Sequence, residues 1–204
     1  MSGWKAKRFW TKANAVPLSG GGYTVHLDTR ALKTPGKLAL VVPTLAMAQA
    51  IAAEWDAQTG QIDPNTMPIT RFANSAIEKV GPQFDDVVDV VAAYGGSDLL
   101  CYRAEAPKNL AERQAQGWDP LLDWAATDLG ARLNVTTGVM PVAQTPDSLA
   151  ALRAAVAAQS PFQLAGLHDL VAITGSLVLA LAVARGHLTA DQAFSLSRID
   201  EHFQ

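Results

Sequence analysis

The first fifth of the chain alternates between apolar and polar residues. Tyr23, Val25 and Leu27 are each followed by a polar residue, and this period of two predicts a strand with one buried face. The three glycines at 20–22 and the sequence Thr-Pro-Gly at 34–36 are typical of turns. We therefore predict short antiparallel strands between residues 8 and 42, the last of them over 38–42.

After residue 43 the apolar residues recur every three or four positions, which predicts helices. The clearest case lies in 68–80, where Ile69, Phe72, Ala76 and Val80 share one helical face before a Gly-Pro pair ends the pattern. Further helices are predicted to begin near residues 44, 84, 107, 119, 145, 161 and 189.

Local signals support several of these helix starts. Asp119 and Pro120 form a typical N-cap and first-turn pair, and Thr189 with Gln192 fits a capping box. The last helix is predicted to run from there to the end of the sequence. A Gly-Ser pair inside the apolar run 170–184 marks either a helix break or a close contact between helices. That run is shorter than the ~20 residues that a membrane-spanning helix needs.

These patterns together predict the fold class α+β. A small β-rich N-terminal part with helices is expected over residues 1–95, followed by an all-helical C-terminal domain over 96–204. The stretch from the glycine pair at 95–96 to Trp124 connects the two parts and holds the densest mixture of charged and aromatic residues.

Composition narrows the class of protein. The 204 residues are 49% hydrophobic and only 17% charged, which predicts a sizeable core and excludes a disordered chain. The net charge of −3 and the absence of a basic stripe disfavour nucleic acid as a partner. The single cysteine, Cys101, excludes a disulfide within the chain. The basic N-terminus lacks the apolar segment of a signal peptide, so we expect a reducing compartment.

No catalytic or metal-binding pattern is visible. The four histidines are widely separated, without the spacing of metal ligands, and no phosphate-binding or nucleophile-elbow motif occurs. Cys101 lies between two apolar residues, which favours an inert core position over a nucleophile. We therefore predict no catalytic residue, no metal and no cofactor. An enzyme that uses Cys101, or the pair Asp98 and Arg103, in an unrecognised cavity stays as the alternative.

Arginines beside large aromatic residues have two possible meanings. Arg103, Trp118 and Asp119 lie in the connecting stretch, and such groups are typical both of binding hot spots and of structural joints. The residues alone do not decide between them.

The order of short motifs resembles a known family over nearly the whole chain. The sequence is similar to the ATP-twelve-type family, the assembly chaperones of the alpha subunit in the catalytic sector of F-type ATP synthase. The matching pieces are Arg8-Phe9-Trp10, 27–35, 53–56, Pro64 with Met67-Pro68, 73–76, 98–103, Trp118-Asp119-Pro120, 175–177 and Asp200-Glu201.

The resemblance implies a function without catalysis. It implies binding of the free alpha subunit, shielding of its interface until the beta subunit replaces the chaperone, and no membrane insertion. It also implies an acidic position near the C-terminus as part of the client contact, which points to Glu201 with Asp200. Asp98, Arg103, Trp118 and Asp119 are then expected to form a structural joint. We expect a monomer in the bacterial cytoplasm, or in the mitochondrial matrix if the source is eukaryotic.

Overall fold

The computed structural model describes residues 6–203 and confirms the α+β class. Contacts divide the chain into two compact units, with the first ending at Gln83 and the second beginning at Phe84. The predicted boundary after residue 95 therefore lies inside the second unit. Residues 1–5 and Gln204 lie outside the described residues, so the predictions for the extreme N-terminus and for the last residue are not addressed.

The first unit combines a small antiparallel sheet with short helices. Its strands are β1 (Ala13–Pro17), β2 (Tyr23–Leu27) and β3 (Arg30–Ala31), in the order β1-β2-β3. Its helices are α1 (Leu45–Asp56), a 3-10 helix (Pro64–Thr66), α2 (Pro68–Ser75) and a π-helix (Ala76–Val80).

The alternating pattern gives the expected hairpin. Val25 and Leu27 are buried, and Ala13 pairs with Leu27 at one end of the β1–β2 ladder. The glycines before β2 form the predicted turn, where Gly21 and Gly22 adopt positive φ. The predicted strand over 38–42 is reduced to single bridges, one of which joins Tyr23 and Val42.

Arg8 connects the start of the chain to the end of α1. Its guanidinium donates to the carbonyls of Trp10, Asp56 and Gln58. A helix end leaves its last carbonyls without intrahelical partners, and an arginine at that end also complements the helix dipole. The Trp10 ring packs at 5.2 Å from the ring of Trp55 on α1, so this corner of the unit is both hydrogen-bonded and apolar.

Over residues 84–203 the second unit is helical apart from one short strand pair. Its helices are α3 (Phe84–Ala93), α4 (Lys108–Asp128), α5 (Pro146–Ala157), α6 (Pro161–Thr174), α7 (Leu177–Ala184) and α8 (Ala190–Ser197). Three 3-10 helices cover Tyr94–Gly96, Leu99–Cys101 and Glu201–Phe203. Strand β4 (Tyr102–Arg103) runs parallel to β5 (Thr136–Thr137).

Helix α7 forms the centre of this unit. Its residues from Leu177 to Ala182 are all fully buried. The preceding Gly175 adopts a left-handed conformation and ends α6, and the Ser176 side chain caps α7. The Gly-Ser pair is therefore a helix break. Among the described residues, no helix has both the length and the apolar character needed to cross a membrane.

Two predicted helix boundaries are wrong. The helix expected to start at Asp119-Pro120 is the second half of α4, which contains Pro120 in its interior. Proline inside a helix costs ~3 kcal/mol, but burial of Trp118, Leu121 and Leu122 on the same helix contributes roughly 1.5–3 kcal/mol for each side chain. The last helix ends early, at Ser197, so Asp200 and Glu201 lie in the turn and the 3-10 helix that follow it.

Candidate functional site

Asp98 is a buried structural carboxylate. Its side chain is completely inaccessible to solvent and accepts hydrogen bonds from the backbone N–H groups of Leu100 at 3.0 Å and Val178 at 2.9 Å. These donors belong to the 3-10 helix Leu99–Cys101 and to α7. Burial raises the pKa of Asp98, although its hydrogen bonds oppose the shift. This residue therefore fixes the connecting stretch against the centre of the second unit.

Arg103, Trp118 and Asp119 form one cluster on β4 and α4. Arg103 donates to Asp119 Oδ1 at 2.7 Å, and its guanidinium carbon lies 5.2 Å from the centre of the Trp118 ring. The Trp118 indole N–H donates to the carbonyl of Leu196 on α8 at 2.9 Å. All of these partners belong to the second unit. The role of the four residues in a joint between the units stays a prediction.

Asp200 is held by a buried glutamine that sequence reasoning missed. Gln114 on α4 is only 2% exposed. It accepts from the backbone N–H of Ala104 at 2.8 Å and donates to Asp200 Oδ1 at 2.7 Å. A buried side chain with both ends hydrogen-bonded has one orientation, so the Asp200 carboxylate has a fixed position at the protein surface.

Glu201 belongs to a different network from its neighbour. It accepts a hydrogen bond at 2.8 Å from Arg198, and this bond is the main cause that holds the pKa of Glu201 below its usual range. A second nitrogen of Arg198 donates to the carbonyl of Ile173 at 2.9 Å, and its guanidinium carbon lies 5.2 Å from the centre of the Phe194 ring.

The surroundings of Glu201 are apolar and exposed. The side chains of Ile173 and Phe194 are 53% and 48% exposed. We call Ile173, Phe194, Arg198 and Glu201 the terminal patch. It combines two exposed hydrophobic residues, one on α6 and one on α8, with an ion pair in the segment that follows α8. This mixture of apolar surface and charge is typical of a surface that another protein covers.

A comparison with known families now decides the class of protein. Residues 7–126 match the model of the family described as ATP12 chaperone protein. The chain belongs to the ATP12 chaperone family. The predicted resemblance is confirmed, and with it the class of ATP synthase assembly chaperone. The matched range includes nearly all of the described first unit and most of α4, whereas Asp200 and Glu201 lie outside it.

Solved structures extend the similarity of this ATP12 family member to both units. The crystal structure of Atp12 from Paracoccus denitrificans is 58% identical, with a TM-score of 0.93 over 98% of this chain and 86% of the other. An aspartate-to-lysine mutant of that protein is 57% identical, with the same TM-score and coverage. The Atu1473 protein from Agrobacterium tumefaciens is 40% identical, with a TM-score of 0.88 over 97% of this chain and 74% of the other.

In this ATP12 family member, the residues considered for catalysis lie among contacts that stabilise the fold. Cys101 is buried, and burial, followed by the nearby Asp98 carboxylate, raises the pKa of its thiol to about 12. A reactive cysteine needs the opposite shift. Asp98 has its own partners in α7, and Arg103 forms its ion pair with Asp119. Within residues 6–203, no three potential ligands from His, Cys, Asp and Glu lie close enough to hold a metal ion.

Sequence reasoning missed four residues of the site, and only some of them carry a signal that could have identified them. They are Gln114, Ile173, Phe194 and Arg198. Gln114 belongs to a polar helical segment and carries no pattern that distinguishes it from its exposed neighbours. Ile173 follows a helical apolar period, which predicts burial rather than exposure. Phe194 fits the apolar side of the last helix, which also predicts burial. Arg198 lies three residues before Glu201, a spacing that brings two side chains together on one helical face, so the ion pair is the one contact that the sequence offers.

Proposed function

We propose that this protein holds the free alpha subunit of the F-type ATP synthase catalytic sector and shields its interface until the beta subunit takes its place. Membership of the ATP12 chaperone family supports the general role, and the terminal patch carries the proposal for the binding surface. Two exposed hydrophobic side chains lie beside a charge pair in this patch. A subunit that awaits its neighbour exposes an apolar interface, which aggregates unless it is covered.

The charges of the patch are suited to recognition. Glu201 is ionised at neutral pH, as an exposed glutamate is, and its hydrogen bond from Arg198 lowers its pKa further. A basic group of the client would compete with Arg198 for this carboxylate. Charge complementarity of this kind selects the partner and its orientation more than it raises affinity. Asp200 offers a second carboxylate, oriented by Gln114, so the two acidic residues contact the client from separate networks.

The proposed role needs no catalysis. Covering a surface requires a shape-matched apolar face whose affinity is lower than that of the final partner, and neither nucleotide nor metal takes part. We accordingly propose a monomeric, non-enzymatic protein that acts in the cytoplasm if the source is bacterial, and in the mitochondrial matrix if it is eukaryotic. The buried thiol of Cys101 with its raised pKa, and the structural partners of Asp98 and Arg103, support this proposal over the alternative of an enzyme.

Capture of purified subunits tests this proposal directly. The tagged protein is incubated separately with alpha and beta subunits, and alpha alone is expected to be retained. Glu201→Lys should weaken the capture of alpha at least tenfold, a loss of about 1.4 kcal/mol, because the lysine repels the basic client group that Glu201 attracts. Failure of the unmodified protein to retain alpha would refute the proposal.

A matched variant separates binding from folding. Glu112 is an exposed glutamate in an ion pair with Lys108 on α4, away from the terminal patch in sequence and contacts. Glu112→Lys makes the same change of charge and should retain alpha normally. Thermal unfolding followed by circular dichroism should be the same for both variants. If Glu201→Lys unfolds at a clearly lower temperature, Glu201 is structural and the assignment of the patch is wrong.

A further inference from the structure

The second unit has an open cleft beside Asp200. Its volume is about 480 Å³, within the range of about 300–1,000 Å³ that is typical of ligand clefts. Strand β4 and the residues after it, helix α4, the turn after β5 and Asp200 contribute to its walls. We call it the Asp200 cleft. The proposed function assigns a client contact only to Asp200, so the rest of the cleft is without a role.

The turn after β5 brings exposed apolar side chains to the edge of the cleft. Val139 lines the cleft and is 91% exposed, and the adjacent Met140 is 73% exposed. They are the two most exposed large hydrophobic residues in the part of the chain that the structure describes. The N–H of Gly138 donates to the carbonyl of Arg103 at 2.8 Å, which fixes the turn against β4. Apolar surface held in this way beside a cleft is typical of a site that another molecule covers.

Two carboxylates from separate elements line the same cleft. Asp200 is exposed, and Gln114 donates to its Oδ1 atom only. Glu105 is also exposed, and among residues 6–203 it has neither a hydrogen bond nor an ion pair. A Cβ atom at Gly138 would lie 2.6 Å from Glu105 Oε1, so the glycine leaves the space that this carboxylate occupies beside the turn. Glu105 is therefore an acceptor at the cleft wall that the described chain does not engage.

The charges around the cleft favour a cation. Arg103 is the one cation that lines it, and its guanidinium is paired with Asp119 at 2.7 Å. Together with Glu105 and Asp200, these residues have a formal net charge of −2. The second unit as a whole contains 7 lysines and arginines against 14 aspartates and glutamates, a formal net charge of −7, whereas the first unit has 9 against 5, or +4. An acidic surface of this kind raises the local concentration of a basic partner.

We propose that the Asp200 cleft binds an arginine or lysine side chain of the alpha subunit, with its aliphatic stem against Val139 and its cation facing the carboxylates of Glu105 and Asp200. Long basic side chains cover apolar surface with their stems while the charged end stays solvated, and such an end makes charge-assisted hydrogen bonds to carboxylates. The proposal rests on the proposed function for the identity of the partner. It adds Glu105 and Val139 to the client contact, and neither belongs to the terminal patch.

Removal of the charge of Glu105 tests the cation. Glu105→Gln keeps the size of the side chain, and the dissociation constant for alpha, measured by titrated capture, should rise about threefold to fivefold at low salt, as expected for an exposed ion pair. The difference should disappear in about 1 M salt, where the Debye length is only ~3 Å. Glu112→Gln is the matched control, because Glu112 is an exposed glutamate of the same unit that does not line the cleft. It should bind alpha normally.

Replacement of Val139 tests the apolar contact. Val139→Ser should raise the dissociation constant about threefold or more at both salt concentrations, because burial of apolar area is not screened by salt. Val90 on α3 is 56% exposed and lies outside the cleft, so Val90→Ser should have no effect. Since Glu105 and Val139 are exposed, their variants should unfold at the same temperature as the unmodified protein. A normal dissociation constant for either Glu105→Gln or Val139→Ser would overturn the proposal.

Failure of this inference and failure of the proposed function give different results. If the unmodified protein retains alpha and both variants bind it equally well, the cleft is not a client contact and the proposed function stands. If alpha is not retained at all, the proposed function fails, and an NMR titration with N-acetyl-arginine methylamide decides whether the cleft takes a basic group. Saturable shifts of the Gln114 side-chain amide, with at least threefold weaker binding of the uncharged citrulline analogue, would support that chemistry. Absent shifts, or equal affinities for the two compounds, would refute it.

Discussion

Replacing the buried carboxylate of Asp98 by a hydrogen atom should destabilise the second unit. Asp98→Ala leaves the N–H groups of Leu100 and Val178 buried without their acceptor. A hydrogen bond to a charged group contributes roughly 1.5–3 kcal/mol, so two of them contribute about 3–6 kcal/mol. The desolvation penalty of the carboxylate disappears with the residue and offsets part of this loss. We expect a net decrease of about 3 kcal/mol in the free energy of unfolding at neutral pH.

The pKa of Asp98 gives this prediction a pH dependence. Its folded-state pKa is raised above the ordinary value of 3.8, so above pH 3.8 the folded protein retains a proton that the unfolded chain has released. The contribution of Asp98 to stability is therefore complete below that pH and decreases as the pH rises through the folded-state pKa. The deficit of Asp98→Ala should be larger near pH 4.5 than at pH 7.

Urea unfolding followed by far-ultraviolet circular dichroism measures both effects. A loss of about 3 kcal/mol also corresponds to about 6–12 °C in the melting temperature of a chain of this length. Asp89→Ala is the matched control, since it removes an exposed ion pair with Arg153 and should cost less than about 1 kcal/mol. An Asp98 variant within about 1 kcal/mol of the unmodified protein, or a deficit that grows with pH, would contradict the reasoning.

Three further perturbations test other contacts. Cys101 should react with iodoacetamide at pH 8 roughly a thousandfold more slowly in the native protein than in urea. A pKa of about 12 for the native thiol, against the usual 9.0, lowers the thiolate fraction by about that factor. A native rate within tenfold of the unfolded rate would show that the thiol is accessible. Trp118→Phe removes the donor to Leu196 and should cost about 1–2 kcal/mol more in urea unfolding than Trp124→Phe, so equal losses would contradict the role of this bond. Arg8→Met leaves the carbonyls of Asp56 and Gln58, at and just beyond the end of α1, without their donor. It should lower the free energy of unfolding by about 2–4 kcal/mol, whereas a loss below about 1 kcal/mol would mean that water replaces the guanidinium.

Sequence reasoning is reliable where one residue decides the local structure. The capping box of Thr189 and Gln192 starts α8 as predicted, with both reciprocal hydrogen bonds present. Gly175 ends α6 because it adopts a left-handed conformation that other residues disfavour. These signals depend on the backbone within a few residues, and the sequence contains that information.

The predictions fail where tertiary packing decides. Pro120 would end an isolated helix, but the buried side chains around it keep α4 continuous. Gly95 is typical of a place for the chain to turn, yet its φ is not positive. A Cβ atom there would lie 2.7 Å from a methyl carbon of Leu152, so glycine provides space for α5 rather than conformational freedom. Nothing in the local sequence distinguishes these two reasons for a glycine.

In the candidate site, too, the local contacts follow from the sequence and the long-range contacts do not. The resemblance to a family directs attention to Glu201 and Asp200, and the spacing to Arg198 indicates an ion pair. The partner of Asp200 is Gln114, 86 residues away, and a contact over that distance in the chain depends on the fold. For this reason the sequence predicts one acidic pair, whereas the structure places the two residues in separate networks.

The ion pair of Arg198 and Glu201 has a consequence for how long a client stays bound. A client cation that reaches Glu201 replaces an existing hydrogen bond at 2.8 Å, so its gain is the difference between two similar contacts, and dissociation restores the original pair. The contact then adds selectivity with little affinity. With a dissociation constant of about 1 μM and an association rate constant of about 10⁶ M⁻¹s⁻¹, the residence time would be on the order of one second. A subunit held this briefly is available for transfer whenever its permanent neighbour arrives.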